Sequence, residues 1–75
     1  AGSGRPPSPI EPLSAREEEV LRTIAGGLTN AEIAGALHIS LSTVKAHIAS
    51  LMTKLGVRNR VEIAVWAYET GRMRP

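Results

Sequence analysis

The sequence predicts an all-α domain, a four-helix bundle that contains a helix-turn-helix. Its 75 residues allow one domain with one small hydrophobic core. Apolar residues recur at helical spacing in four successive segments. Only three residues separate the second segment from the third, which forces two short helices to cross steeply. Each segment begins at a residue whose side chain can cap a helix: Ser14, Thr29, Ser40 and Asn59.

The two ends of the chain are expected to lie outside this bundle. Residues 1–12 begin with Ala-Gly-Ser-Gly, which resembles an expression scar. They continue as a linker that holds four of the five prolines, so we expect this segment to be disordered. Residues 72–75 form a short basic tail. The folded domain is therefore predicted to span residues 13–71.

Two capping boxes place the starts of the first two helices. Ser14 can accept a hydrogen bond from the amide of Glu17, while the Glu17 carboxylate can accept one from the amide of Ser14. Thr29 and Glu32 have the same spacing and can form the same pair. Three consecutive glutamates in the first turn are favoured by the positive end of the helix dipole. Two successive glycines then end the first helix.

The third helix, at about residues 41–55, has two different sides. Its outward surface carries small and hydroxyl side chains with the cation Lys45, and no carboxylate occurs between Glu32 and Glu62. A surface of this kind can lie against a polyanion. We therefore predict that this is the recognition helix of the helix-turn-helix and that it enters the major groove of duplex DNA. The apolar residues of the inward side follow at steps of four, three and four: Val44, Ile48, Leu51 and Leu55.

The charge of the chain is unevenly divided. Residues 1–39 carry three basic and five acidic side chains, whereas residues 40–75 carry six basic and two acidic ones. The excess of positive charge thus lies in the half that contains the predicted recognition helix. This asymmetry points to an anionic partner.

The composition argues against several other classes of protein. The chain has no Cys and no Asp, and His38 and His47 are its two histidines, so we expect no metal site and no cofactor. It lacks a nucleophile and base at a spacing that supports catalysis, so we expect no enzyme activity and assign no catalytic residue. No apolar run approaches the ~20 residues that span a bilayer. We expect a soluble, cytoplasmic protein with no membrane partner.

The fourth helix is expected to run from Asn59 to about Gly71 and is apolar on two sides. One small core can cover only one of these sides, and the pattern leaves open which of them faces solvent. We assign the dimer interface to Ile63, Trp66 and Ala67. The other apolar side consists of Val61, Ala64, Val65 and Tyr68.

Four segments together carry a resemblance to a known family. They are Leu13-Ser14-x-Arg16-Glu17-x-Glu19-Val20-Leu21, Gly27-Leu28-Thr29-Asn30-x-Glu32-Ile33-Ala34, Leu37-x-Ile39-Ser40-x-x-Thr43-Val44-Lys45-x-His47, and Lys54-Leu55-Gly56-Val57 with Arg60-Val61-Glu62. In this order and spacing they resemble the LuxR/FixJ/NarL-type DNA-binding domain over residues 13 to about 70. The resemblance implies a four-helix domain that binds double-stranded DNA as a homodimer. Such domains usually form the C-terminal part of a response regulator of a two-component system or of a LuxR-type transcription factor.

The resemblance also implies which side chains contact DNA. The expected base contacts are Ser42, Lys45, Ala46 and Ala49, and the expected phosphate contacts are Thr43, Lys54 and Arg58. Alanine stands at two positions where other members of the family place a longer polar or basic side chain. Because alanine can offer only a methyl contact, base recognition is expected to depend mainly on Lys45.

The resemblance further implies partners beyond DNA: a second copy of the chain, RNA polymerase, and an N-terminal receiver or sensor domain in the full-length protein. One alternative from a different class stays open. The chain could be a helical protein–protein interaction module that uses the apolar face of the last helix. Its binding would then depend on that face and be insensitive to Lys45 and to salt.

Overall fold

The computed structural model describes residues 12–71, which form four helices and no strands. These are α1 (Ala15–Ala25), α2 (Asn30–Leu37), α3 (Leu41–Leu55) and α4 (Arg60–Glu69). α1 packs against α3 and α4, and α2 packs mainly against α3. The predicted all-α bundle with a helix-turn-helix is confirmed. Of the linker predicted over residues 1–12, Pro12 alone is described; residues 1–11 and the basic tail at residues 72–75 lie outside the described residues.

Three helices begin at the residues predicted to cap them, through local hydrogen bonds. Ser14 and Glu17 form both bonds of a capping box, and so do Thr29 and Glu32. Ser40 accepts a backbone amide at the start of α3. Each of these bonds joins residues three positions apart, so the sequence alone determines where the helices start.

α4 also begins at its predicted cap, Asn59, but Glu62 does not complete a capping box there. Asn59 Oδ1 accepts from the amide of Glu62 at 2.9 Å, as a cap should. The Glu62 carboxylate, however, accepts from the amide of Arg58 at 2.7 Å, one residue earlier than in a capping box. It therefore holds the chain that leads into α4.

The turn between α2 and α3 contains a residue in an unfavourable conformation. His38 has φ 57° and ψ 45°, and it is the one residue other than glycine with positive φ among residues 12–71. The left-handed conformation costs a residue with a Cβ atom roughly 1–2 kcal/mol. It lets the amide of Ile39 donate to the carbonyl of Ala34 at 3.1 Å, which closes the turn. The tight turn is thus held by the packing of α2 against α3, against the local preference of His38.

All four helices contribute to one hydrophobic core. α3 lies against each of the other helices, and the four apolar residues predicted to face inward on it are all buried. None of the helices in residues 12–71 is long and apolar enough to cross a membrane. The buried apolar side chains are Val20, Leu21, Ile24, Ile33, Val44, Ile48, Leu51, Leu55, Ile63, Trp66 and Ala67.

The burial of α4 corrects the predicted dimer interface. Ile63 and Ala67 are completely buried and Trp66 is 4% exposed, so a second copy of the chain has no access to them. The side of α4 with the bulky isoleucine and indole faces α1 and α3, where it removes the most apolar surface from water. The assignment of the interface to these three residues is therefore wrong. The exposed apolar side chains of α4 are Val61, Val65 and Tyr68.

Candidate nucleic-acid interface

The outward surface of α3 is open to solvent where the base contacts are expected. The helix turns its buried residues toward the core, and no other helix within residues 12–71 covers its opposite side at these positions. The structure thus brings all four expected base-contact residues to one exposed face. These residues are Ser42, Lys45, Ala46 and Ala49.

Lys45 is the cation of this face, and it has no carboxylate partner in the described part of the chain. The ion pairs among residues 12–71 involve Arg16 and Lys54. α3 itself contains no Asp or Glu. The Lys45 ammonium is therefore available to an external acceptor, and guanine O6 and N7 are the base atoms that lysine contacts most often in the major groove.

Three hydroxyl groups cluster at the start of α3. Ser40 Oγ lies 2.8 Å from Thr43 Oγ1 and 3.1 Å from Ser42 Oγ, and it accepts from the amide of Thr43 at 3.1 Å. The first amides of a helix carry the positive end of its dipole and favour an anion such as a phosphate. The cluster adds hydroxyl donors to the same end of the helix.

Lys54 is engaged in an ion pair inside the domain. Its Nζ donates to Glu17 Oε1 at 2.8 Å, and the side chain of Lys54 is 20% exposed. Ser50 Oγ donates to Glu17 Oε2 at 2.6 Å, and the amide of Ser14 donates to Oε1 at 2.9 Å. The hydrogen bonds from Lys54, Ser50 and Ser14 lower the pKa of Glu17 from 4.5 to about 2, although its burial acts in the opposite direction. Glu17 thus stays ionised and joins α1 to α3.

This pair changes the expected set of phosphate contacts. The charge of Lys54 is balanced by Glu17, so Lys54 is less available to DNA than its place in the sequence implied. Arg58 is exposed just beyond the end of α3 and is the more accessible cation. The sequence carries no local signal for the pair, because 37 positions separate Glu17 from Lys54.

Arg60 fixes the turn that leads into α2, a role for which the sequence analysis offered no indication. Its guanidinium donates to Asn30 Oδ1 and to the carbonyl oxygen of Leu28. A surface cavity of about 530 Å³ opens beside these contacts and is also lined by Leu41 and Lys45 of α3. Arg60, the first residue of α4, therefore holds the turn at the start of α2.

Comparison with known proteins identifies relatives of the same fold. The family described as "Bacterial regulatory proteins, luxR family" matches residues 11–67. The response regulator protein VraR of Staphylococcus aureus is 42% identical over 59 residues, which are 79% of this chain and 28% of VraR. The crystal structure of the response regulator ChrA of a heme-sensing two-component system superposes with a TM-score of 0.74 and 43% identity, over 81% of this chain and 30% of ChrA.

A second solved structure contains RcsB dimers bound to two parallel DNAs. It superposes with a TM-score of 0.73 and 38% identity, over 80% of this chain and 30% of RcsB. The chain thus spans less than a third of the length of each of these relatives. The family match covers all four helices apart from the last two residues of α4. The chain therefore belongs to the LuxR family of bacterial regulatory proteins, as a helix-turn-helix DNA-binding domain.

Proposed function

We propose that this domain recognises a specific site on double-stranded DNA and regulates transcription, with the start of α3 in the major groove. The observation that carries the proposal is the exposed side of α3, where Lys45 has no carboxylate partner within residues 12–71. The excess of basic residues after position 39 adds a sequence-independent attraction to phosphates. The DNA bound to RcsB, a protein of the same fold, also favours this function.

The proposed contacts divide into base recognition and positioning. Lys45 donates to a guanine, Ser42 adds a hydroxyl contact, and the two alanines let the helix approach the base edges closely. Thr43, Arg58 and the first amides of α3 hold phosphates and fix the orientation of the helix. Lys54 leaves the set of phosphate contacts in this proposal, because its ammonium donates to Glu17.

Replacing Lys45 with alanine is expected to weaken binding to the preferred site by about 1–3 kcal/mol, the usual contribution of one base contact. The preferred site is first enriched from random duplexes with the wild-type domain. Both proteins are then titrated with the enriched duplex and a random duplex at several salt concentrations. The matched control is Lys54→Ala, which removes another lysine from the same helix. Its affinity for both duplexes and its free energy of unfolding are measured together.

The titration separates three interpretations. A loss confined to the enriched duplex supports a base contact by Lys45. An equal loss on both duplexes makes Lys45 a phosphate contact, and the slope of log affinity against log salt then falls by about 0.9. The absence of saturable binding to any duplex at low salt contradicts DNA binding and favours the interaction module that uses the exposed side of α4.

We further propose that two copies of the domain pair on DNA through the exposed side of α4. Val61, Val65 and Tyr68 lie at steps of four and three, on one side of the helix, and are 70%, 48% and 58% exposed. A single helix-turn-helix contacts one half-site, so pairing two copies raises the affinity for a repeated half-site. The dimeric state of RcsB on DNA favours the same arrangement.

Replacing Val65 with glutamate is expected to abolish cooperative binding to a duplex with two half-sites, because two carboxylates would face each other in an apolar contact. Affinity for a single half-site should change little. Titrations with duplexes that carry one or two half-sites measure the ratio of the two affinities. Ala15→Glu on α1 is the control, because it adds the same charge at another exposed position. A cooperative ratio that survives Val65→Glu contradicts this interface.

We also propose the cellular context that response regulator relatives suggest. The domain would work in the cytoplasm as one part of a longer regulator, joined to a receiver or sensor domain, and would act on RNA polymerase at a promoter. The basis is that VraR and ChrA are response regulators and that the domain aligns with less than a third of each. Co-purification of polymerase with the full-length regulator on promoter DNA tests this, and recovery of the promoter alone contradicts the contact with polymerase.

A further inference from the structure

We propose that the recognition face also detects the C5-methyl group of a thymine, through Leu41. This inference depends on the proposed binding to duplex DNA. Leu41 is the first residue of α3 and is 45% exposed. It is one of four large apolar side chains exposed within residues 12–71, and the other three lie on α4. Neither the core nor the proposed dimer surface accounts for it.

Leu41 lies beside the proposed base-reading lysine. Residues four positions apart on a helix are neighbours on one side, so Leu41 and Lys45 form adjacent parts of the same surface. Both line the cavity of about 530 Å³ between the starts of α2 and α3. In a helix-turn-helix the N-terminal residues of the recognition helix contact base edges, which is where Leu41 stands.

The chemistry of leucine defines what it can detect. Its side chain has no hydrogen-bond donor or acceptor, so it can distinguish base pairs only through an apolar contact. The C5-methyl group of thymine is the apolar group that an unmodified base pair presents in the major groove. The contact would remove both surfaces from water.

Helix geometry limits where this thymine can lie. Four residues advance about 6 Å along a helix. Successive base pairs are about 3.4 Å apart along the duplex. The thymine is therefore expected one or two base pairs from the guanine that Lys45 contacts, and the preferred half-site should contain this pair of bases.

Replacing thymine with uracil tests the proposal, because uracil lacks only the methyl group. Duplexes are enriched from a random pool with this chain, and each thymine is then replaced by uracil in turn. The guanine is the one whose replacement weakens binding by the wild type but not by Lys45→Ala. We expect one uracil replacement, within two base pairs of this guanine, to weaken wild-type binding about fourfold, as expected for one buried carbon. Leu41→Ala should bind the thymine and uracil duplexes equally. Leu41→Met, which keeps the apolar bulk, should retain the preference.

Glu19→Ala is the control, because it shortens an exposed side chain on α1, which belongs neither to the recognition face nor to the proposed dimer surface. It should keep the full preference for thymine over uracil. If no uracil replacement weakens wild-type binding, the contact does not exist. This result is obtained with the wild-type protein alone, so it does not depend on the folding of any variant. A preference that persists in Leu41→Ala also overturns the inference and assigns the methyl contact to Ala46 or Ala49. Failure to bind any enriched duplex instead overturns the DNA-binding proposal itself.

Discussion

Replacing Ile63 with alanine is expected to lower the free energy of unfolding by about 2–5 kcal/mol. Ile63 is completely buried where α4 packs against α1 and α3, so its truncation removes apolar contacts and leaves a cavity. A small domain has only about 5–15 kcal/mol of stability in total. The loss is therefore a large share of what keeps this domain folded. Urea unfolding followed by circular dichroism measures it as a lower midpoint at an unchanged slope.

Val61→Ala is the matched control for this measurement. Val61 lies two positions earlier on α4, is also aliphatic, and is 70% exposed. Its truncation should change stability by about 0.5 kcal/mol or less, as is usual at exposed positions. Similar small effects of both substitutions would place Ile63 outside the core. They would then restore the dimer interface that the sequence pattern suggested.

The contrast between α3 and α4 shows what could be predicted from the sequence. α3 has apolar residues on one side only, so the inward and outward faces follow from helical periodicity. The exposure of Ser42 and Lys45 needed no knowledge of the neighbouring helices. α4 has two apolar sides, and the choice between them depends on contacts with α1 and α3, which are distant in sequence. Periodicity cannot make that choice.

The same distinction applies to the ionic contacts. The hydrogen bond from the amide of Ser14 to the Glu17 carboxylate spans three residues and could be predicted as part of a capping box. The bond from Lys54 to Glu17 spans 37 residues and depends on how α1 lies across α3. The hydrogen bond from Arg60 to the carbonyl of Leu28, in the turn before α2, is equally long-range. Local chemistry thus predicted the helices and the exposed side of α3, whereas the contacts that join the helices required the structure.

Replacing Glu17 with glutamine is expected to destabilise the domain by about 3 kcal/mol at pH 7. The folded state lowers the pKa of Glu17 from 4.5 to about 2, chiefly through the hydrogen bond from Lys54. This difference corresponds to about 3 kcal/mol in favour of the folded, ionised form. Glutamine keeps a similar shape and can still accept a hydrogen bond, but it cannot balance the charge of Lys54. Glu19→Gln is the control, because Glu19 forms a surface ion pair with Arg16 and is half exposed.

The pH dependence distinguishes the charge of Glu17 from its packing. Because its pKa is lower in the folded state, the unfolded chain binds the proton more readily, and the stabilisation is complete above about pH 5 and falls away as the pH approaches 2. Unfolding free energies of wild type and Glu17→Gln should therefore differ most at neutral pH and converge near pH 2, whereas Glu19→Gln should follow wild type throughout. A difference between wild type and Glu17→Gln that stays constant from pH 7 to pH 2 would show that shape and hydrogen bonding, not the ion pair with Lys54, give Glu17 its effect. Lys54 would then carry a charge that is free for a phosphate, as the resemblance first implied.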